Sequence, residues 1–151
     1  MDVHRKKMKE SIRPHLTGVY RIRACRSALD GARRLFPRIR DFMAVRDHAL
    51  KLRFWPGGNG GQTVDMNWDW IQACDNLGIG ELRLDDTISG HDNLRIIFFK
   101  PDIDAPNCGE MPLIWILHVI QKKRQNFTPN DIRTFKARRA LVLSFHYRRT
   151  R

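Results

Sequence analysis

Leu113-Ile114-Trp115-Ile116-Leu117-His118-Val119-Ile120 is apolar at every position but His118. A half-buried strand would alternate, and an amphipathic helix would repeat every three to four residues. A run with neither rhythm, this short, reads as a central strand of a sheet. Two strand signals precede it. Glu81 to Asp85 alternates strictly, with Leu82 and Leu84 turned inward, and Leu94 to Lys100 is rich in β-branched and aromatic residues. Thr87 to Asn93 between them contains Ser, Gly, Asp and Asn turn residues, so the two strands form a hairpin. Pro101 to Pro112 is a long loop leading into the central strand.

Upstream, Val19 to Cys25 reads as a further strand, because Tyr20, Ile22 and Ala24 alternate with Arg21 and Arg23. Ser27 to Leu35 reads as a helix. Pro37 suits the first position of a second helix, which runs to about Phe54 with Ile39, Phe42, Met43, Ala49 and Leu50 mainly on one stripe. Pro56 to Gly61 breaks the chain. Trp68, Trp70 and Ile71 are expected to pack over the sheet, with Asp75, Asn76 and Gly78 supplying turn chemistry. Downstream, Thr128 is a natural N-cap, Pro129 fits the first helical position and Asp131 lies in the first turn, so a last helix continues toward Tyr147. The expected fold is α+β: two N-terminal helices packed on one face of a small antiparallel sheet of Val19–Cys25 and the three later strands, then a C-terminal helix. Residues 1–16 form a basic arm and residues 17–151 a single domain.

The 151 residues carry 28 Lys and Arg against 16 Asp and Glu, a net charge of +12. Hydrophobic residues make up 42%, enough for a folded core and against global disorder. The charge is segregated. Residues 1–60 hold 15 basic and 5 acidic side chains, residues 61–110 hold 3 and 10, and residues 111–151 hold 10 and 1. A shaped basic face of this kind favours a polyanionic partner, nucleic acid first. Cys25, Cys74 and Cys108 match no metal or disulfide spacing and read as reduced thiols; no ligand constellation is present and no metal or other cofactor is expected. No secretory signal and no apolar run of membrane-spanning length is visible, so a cytoplasmic protein without a membrane partner is expected.

Four pieces in register carry a resemblance: Glu81-Leu82-Arg83; Asn93-Leu94-Arg95-Ile96-Ile97-Phe98; Trp115-Ile116-Leu117-His118-Val119-Ile120-Gln121-Lys122-Lys123; and Thr128-Pro129 with Ile132. Over roughly residues 77–140 the chain resembles the RelE/HigB toxin superfamily, in particular its HigB-like, phage-derived branch. The resemblance implies a RelE-like fold and the toxin of a type II toxin–antitoxin pair. It implies an endonuclease that cleaves messenger RNA on the translating ribosome and is neutralised by a helix-turn-helix antitoxin protein. The chain departs from RelE in two places: Glu81 and Arg83 stand where RelE has a lysine pair, and the acid–base tyrosine after the third strand has no clear counterpart.

Metal-free RNA cleavage needs a base for the ribose 2′-hydroxyl, cations for the phosphorane and an acid for the leaving 5′-oxygen. Arg95 is the candidate phosphate clamp, against the alternative of a sheet-face arginine paired with Glu81 or Asp85. Lys123 is the candidate phosphate or leaving-group contact, with Arg83 in support. Lys122, Arg124, Arg133, Lys136, Arg138 and Arg139 are candidate RNA contacts, or else ordinary solvated side chains. Glu81, His91 and His118 are candidate acid–base groups; Glu81 is equally a salt-bridge partner, and His118, in an apolar strand, reads first as a hydrogen-bonded core histidine. The alternative function is a non-catalytic module of the same fold that binds RNA or protein. A third is a structural fragment docking through the acidic middle.

Overall fold

The computed structural model describes residues 20–57, 64–101 and 112–146. The N-terminal arm, Val19, Cys108 with most of the Pro101–Pro112 loop, and Tyr147 lie outside the described residues. In chain order the elements are β1 (Arg21–Ala24), α1 (Arg26–Leu35), α2 (Ile39–Leu50), a 3₁₀ turn (Lys51–Phe54), β2 (Asn67–Trp70), a second 3₁₀ turn (Gln72–Cys74), β3 (Ile79–Leu84), β4 (Leu94–Phe99), β5 (Leu113–Gln121) and α3 (Pro129–Phe145). The five strands form one open sheet in the order β1-β5-β4-β3-β2.

β5 lies between β1 and β4, and its apolar run feeds cores on both faces. Ile114, Ile116 and Val119 join Leu82, Leu84, Ile96 and Phe98 beneath α1 and α2. Trp115 and Leu117 join Ile79, Ile97 and Phe99 beneath α3, which contributes Phe135 and Val142. Alternation is broken once: Ile97 pairs with His118 and Phe98 with Ile116, leaving Leu117 as an extra residue. Such a bulge re-aims the side chain beside it. Here His118 and Leu117 both end up on the α3 side.

The local signals are realised where the backbone chemistry is strong. Thr128 Oγ1 accepts from the Asp131 amide and Asp131 Oδ2 from the Thr128 amide, each at 3.0 Å, which makes a reciprocal cap with Pro129 at the first helical position. Within the β3–β4 connection, Ile88 and His91 exchange backbone bonds around Ser89 and Gly90, both at positive φ. Asp75, Asn76 and Gly78 also take positive φ, and a Cβ on Gly78 would stand 2.5 Å from the Lys100 carbonyl oxygen.

Four expectations need correction. β1 runs parallel to β5, not antiparallel; the alternation in Tyr20–Ala24 specifies one apolar face but says nothing about strand direction. β1 precedes the first two helices, as the Val19–Cys25 reading has it, so the helix order differs from a RelE-like arrangement that opens with two helices. α2 starts at Ile39 with Arg38 as an extended N-cap, because Phe36 is anchored in the core and the chain leaves it before turning helical. Trp68 and Trp70 do not merely lie over the sheet: they belong to its fifth, edge strand, paired antiparallel with β3.

That edge places Trp68 and Trp70 against Phe98, with ring centroids 6.1 Å from it in both cases. Gly80, opposite Trp70, makes room: a Cβ there would stand 2.5 Å from Phe98 Cζ, on a ring that is fully buried and has nowhere to go. Gly80→Ala is therefore expected to destabilise the chain by about 1–3 kcal/mol through overpacking. The readout is a lower urea midpoint at unchanged m-value, followed by tryptophan fluorescence.

Candidate functional site

In β3, Leu82 and Leu84 turn toward α1 and α2, so Glu81 and Arg83 turn to the opposite face. The register then sets Arg83 directly across from Arg95, and Arg95 across from Ile120. Two arginines facing each other across strands repel. Glu81 resolves the conflict. Its Oε1 accepts from Arg95 Nε at 2.9 Å and lies 3.9 Å from both Arg83 Nε and Lys122 Nζ. The Lys122 amide donates to the Asn93 carbonyl at 2.9 Å, which ties the end of β5 to the start of β4. One carboxylate, 7% exposed, thus gathers three cations at one end of the sheet.

The cations differ in access. The Arg83 side chain is 49% exposed; those of Arg95 and Lys122 are 12% and 14%. Arg95 also directs Nη1 to its neighbour's carbonyl, Leu94 O, at 3.3 Å. Lys122 Nζ sits 4.6 Å from the centroid of the Phe127 ring, a cation–π contact that holds it at the mouth of a cleft of about 240 Å³. Lys123 and Arg124 are exposed beside it and line the same cleft, with Thr128 and Asp131 at the start of α3. Lys122 thus joins two groups, the Glu81 cluster with Arg83 and Arg95 on one side and the cleft lined by Lys123 and Arg124 on the other. Donors grouped in this way can seat a phosphate and offset the charge of a phosphorane.

The histidines are not part of it. His91 lies on the α1 side of the sheet, edge-on to Phe36 at 5.6 Å, with Nδ1 3.2 Å from Gln121 Oε1. His118 sits one row along β5, packed on Phe135 under α3. Arg138 Nη1 donates both to the bulge carbonyl, Leu117 O, at 2.8 Å and to His118 Nδ1 at 2.6 Å. Burial, then the Arg138 charge, pull the His118 pKa down to about 4, against a smaller opposing effect of Asp131. His118 is thus a neutral, half-buried acceptor beneath α3. Cys74 is equally a packing group, its thiol pushed up to about 11 mainly by burial.

The last helix distributes its cations differently from the sequence expectation. Lys136 pairs with Asp75. Arg139 donates to Leu77 O at 2.8 Å and stacks 5.0 Å from the Phe99 ring centroid. Arg138 braces the bulge. Arg133 is exposed, with a contact to Asn130 in its own helix turn. Two features escaped the sequence reading: Phe127 as the seat of Lys122, and a nest formed by Tyr20, Trp55, Trp68 and Trp70 with Lys100 Nζ 5.0 Å from the Trp55 ring centroid. The tryptophan count alone signalled the second; nothing local signalled the first. Among the described residues no group of three or more His, Cys, Asp or Glu side chains is arranged to hold a metal ion, and no helix is long and apolar enough to cross a membrane. No protein-family model, curated protein or solved structure matches the chain.

The half-buried His118, bonded to Arg138, makes a pH prediction. Its folded pKa lies below the unfolded value, so between about pH 6.5 and pH 4 the unfolded chain binds a proton that the native chain does not. The contribution of neutral His118 is complete above pH 6.5 and is lost as pH falls toward 4. His118→Asn keeps an acceptor near the Nδ1 position but cannot titrate. Urea midpoints across this window should fall more steeply with acidification in the wild type than in His118→Asn.

Proposed function

We propose that this chain is an RNA-binding protein of RelE/HigB type that cleaves messenger RNA on the ribosome without a metal, as the toxin partner of a helix-turn-helix antitoxin. The convergence of Arg83, Arg95 and Lys122 on Glu81, beside the Lys123–Arg124 cleft, carries this reading. In the proposed step the 2′-oxygen attacks phosphorus, the bond to the 5′-oxygen breaks, and the products are a 2′,3′-cyclic phosphate and a 5′-hydroxyl. One proton leaves the 2′-hydroxyl for a base and one reaches the leaving oxygen. Arg83 and Arg95 stabilise the phosphorane. Lys123, the exposed ammonium of the cleft, meets the leaving oxygen. Glu81 is the acceptor nearest the cations and takes the base role.

A second reading rests on a specific observation. The Arg95 guanidinium is largely covered and committed to Glu81, and neither candidate histidine faces the cluster. That arrangement suits a module that binds RNA without cutting it.

The burial of Arg95 also decides which variants are informative. Arg95→Ala strips Glu81 of its closest partner and is expected to cost about 1–3 kcal/mol of stability. Arg83→Ala and Lys123→Ala change exposed side chains and should stay within about 0.5 kcal/mol. The wild-type chain, expressed alone, should arrest growth and leave cyclic-phosphate ends only in translated messages. Arg83→Ala or Lys123→Ala should slow cleavage on purified ribosomes by about a hundredfold. RNA affinity should fall with salt with a negative log–log slope of a few units. Salt-sensitive binding without cleavage would leave the binding module; no RNA binding at all would remove both readings.

A further inference from the structure

On the face of the sheet opposite the cation cluster, α1 packs directly on β5, whereas α2 is tied chiefly to the 3₁₀ turn that follows it. Between the two helices a slot of about 320 Å³ opens to the surface. Its depth comes from short side chains: Ala24, Ala28, Ala32 and Ala49 line it, and Ile116 and Val119 of the central strand form its floor. The α2 wall continues outward as an apolar stripe at helical spacing, with Met43 38% and Ile39 80% exposed. Arg23, Arg33 and Arg46 stand at the rim. Arg33 lies 5.6 Å from the Phe42 ring centroid, and Arg46 Nη1 is 3.9 Å from Met43 Sδ. Among the described residues none of these three guanidinium groups forms an ion pair.

We infer that this slot is the docking site for an amphipathic helix of a partner protein, one with an apolar ridge flanked by carboxylates. The shape selects a helix. A ridge of side chains at i, i+3 or i+4 and i+7 inserts between two helices as ridges enter grooves. The 12 residues of α2 give a wall about 18 Å long, enough for about three turns of a partner. A flat bilayer cannot descend between the helices to Ile116 and Val119. The charge selects the flanks: three unpaired guanidinium groups around apolar walls attract carboxylates, and arginine holds them by bidentate bonds. The cation cluster faces the other side of the sheet, so a docked helix leaves the RNA site open. The inference is independent of the RNA reading.

The test uses the full-length protein and fluorescein-labelled synthetic peptides of about 16 residues, long enough to form a helix. One carries leucines at i, i+3, i+4 and i+7 with glutamates on both flanks; its twin carries lysines in place of the glutamates. Anisotropy titrations should give at least about tenfold tighter binding of the glutamate peptide, the size expected of a few rim ion pairs. In Arg33→Glu/Arg46→Glu, which alters two exposed side chains, the preference should reverse to the lysine peptide. Ala49→Phe, which fills the slot from its wall, should weaken the glutamate peptide about tenfold, with circular dichroism melting as the check on folding. An RNA oligonucleotide should not displace the peptide. Equal binding of the two peptides, or an unchanged preference in the charge-reversed variant, would overturn the inference. So would binding to phosphatidylglycerol vesicles that is abolished by the charge reversal while peptide binding is absent, since that would make the face a membrane contact.

Discussion

β5 is buried on both faces, and most of the architecture follows from that constraint. A strand that is apolar on both sides has to be covered on both sides, and its backbone polar groups need a strand neighbour on each edge. β1 and β4 supply the edges; α1 and α2 cover one face and α3 the other. With apolar contacts filling the middle of the sheet, the charged side chains of β3, β4 and β5 collect at one end. Arg83, Arg95 and Lys122 meet there because the same register that aligns the apolar rows also aligns the ends.

That meeting is electrostatically costly without Glu81. Three cations held within 3.9 Å of one carboxylate leave a net positive cluster, stable because the anion sits among them while the flanking charges stay partly hydrated. The arrangement separates labour among the cations. Arg95 and Lys122 are held by Glu81 and by the Phe127 ring, and are thereby pre-oriented. Arg83, Lys123 and Arg124 remain open to solvent and to an incoming anion. A cluster built in this way has its geometry set before any anion arrives.

Net charge is a weak guide to which cations are available. Arg138 and Arg139 lie in the basic C-terminal segment, yet one supports a bulge carbonyl and a neutral histidine, and the other caps Leu77 O over Phe99. The cations without anionic partners include Arg23, Arg33 and Arg46 around the apolar slot on the opposite face. The molecule thus presents two cationic surfaces of different character, one polar and concave at the sheet end, the other an apolar slot rimmed by arginine.

Much of this was legible in local chemistry. The Thr128–Asp131 cap, the turn at Ser89-Gly90, the alternation of Leu82 and Leu84 and the nearly continuous apolar run of β5 each rest on interactions within a few residues, so the α+β class, the main strands and the start of the last helix follow from local chemistry. It also placed Glu81, Arg83 and Arg95 within reach of one another, since a hairpin with alternating strands does so in one register. The remainder comes from contacts between distant segments. The direction of β1, the edge strand built from Trp68 and Trp70, the bulge that turns His118 toward Arg138, the ring of Phe127 under Lys122 and the slot between α1 and α2 all depend on segments distant in sequence. Periodicity reports which face of an element is apolar. It does not report which partner that face, or a charged side chain beside it, will meet, because that choice is made by the packing of the whole sheet and its three helices.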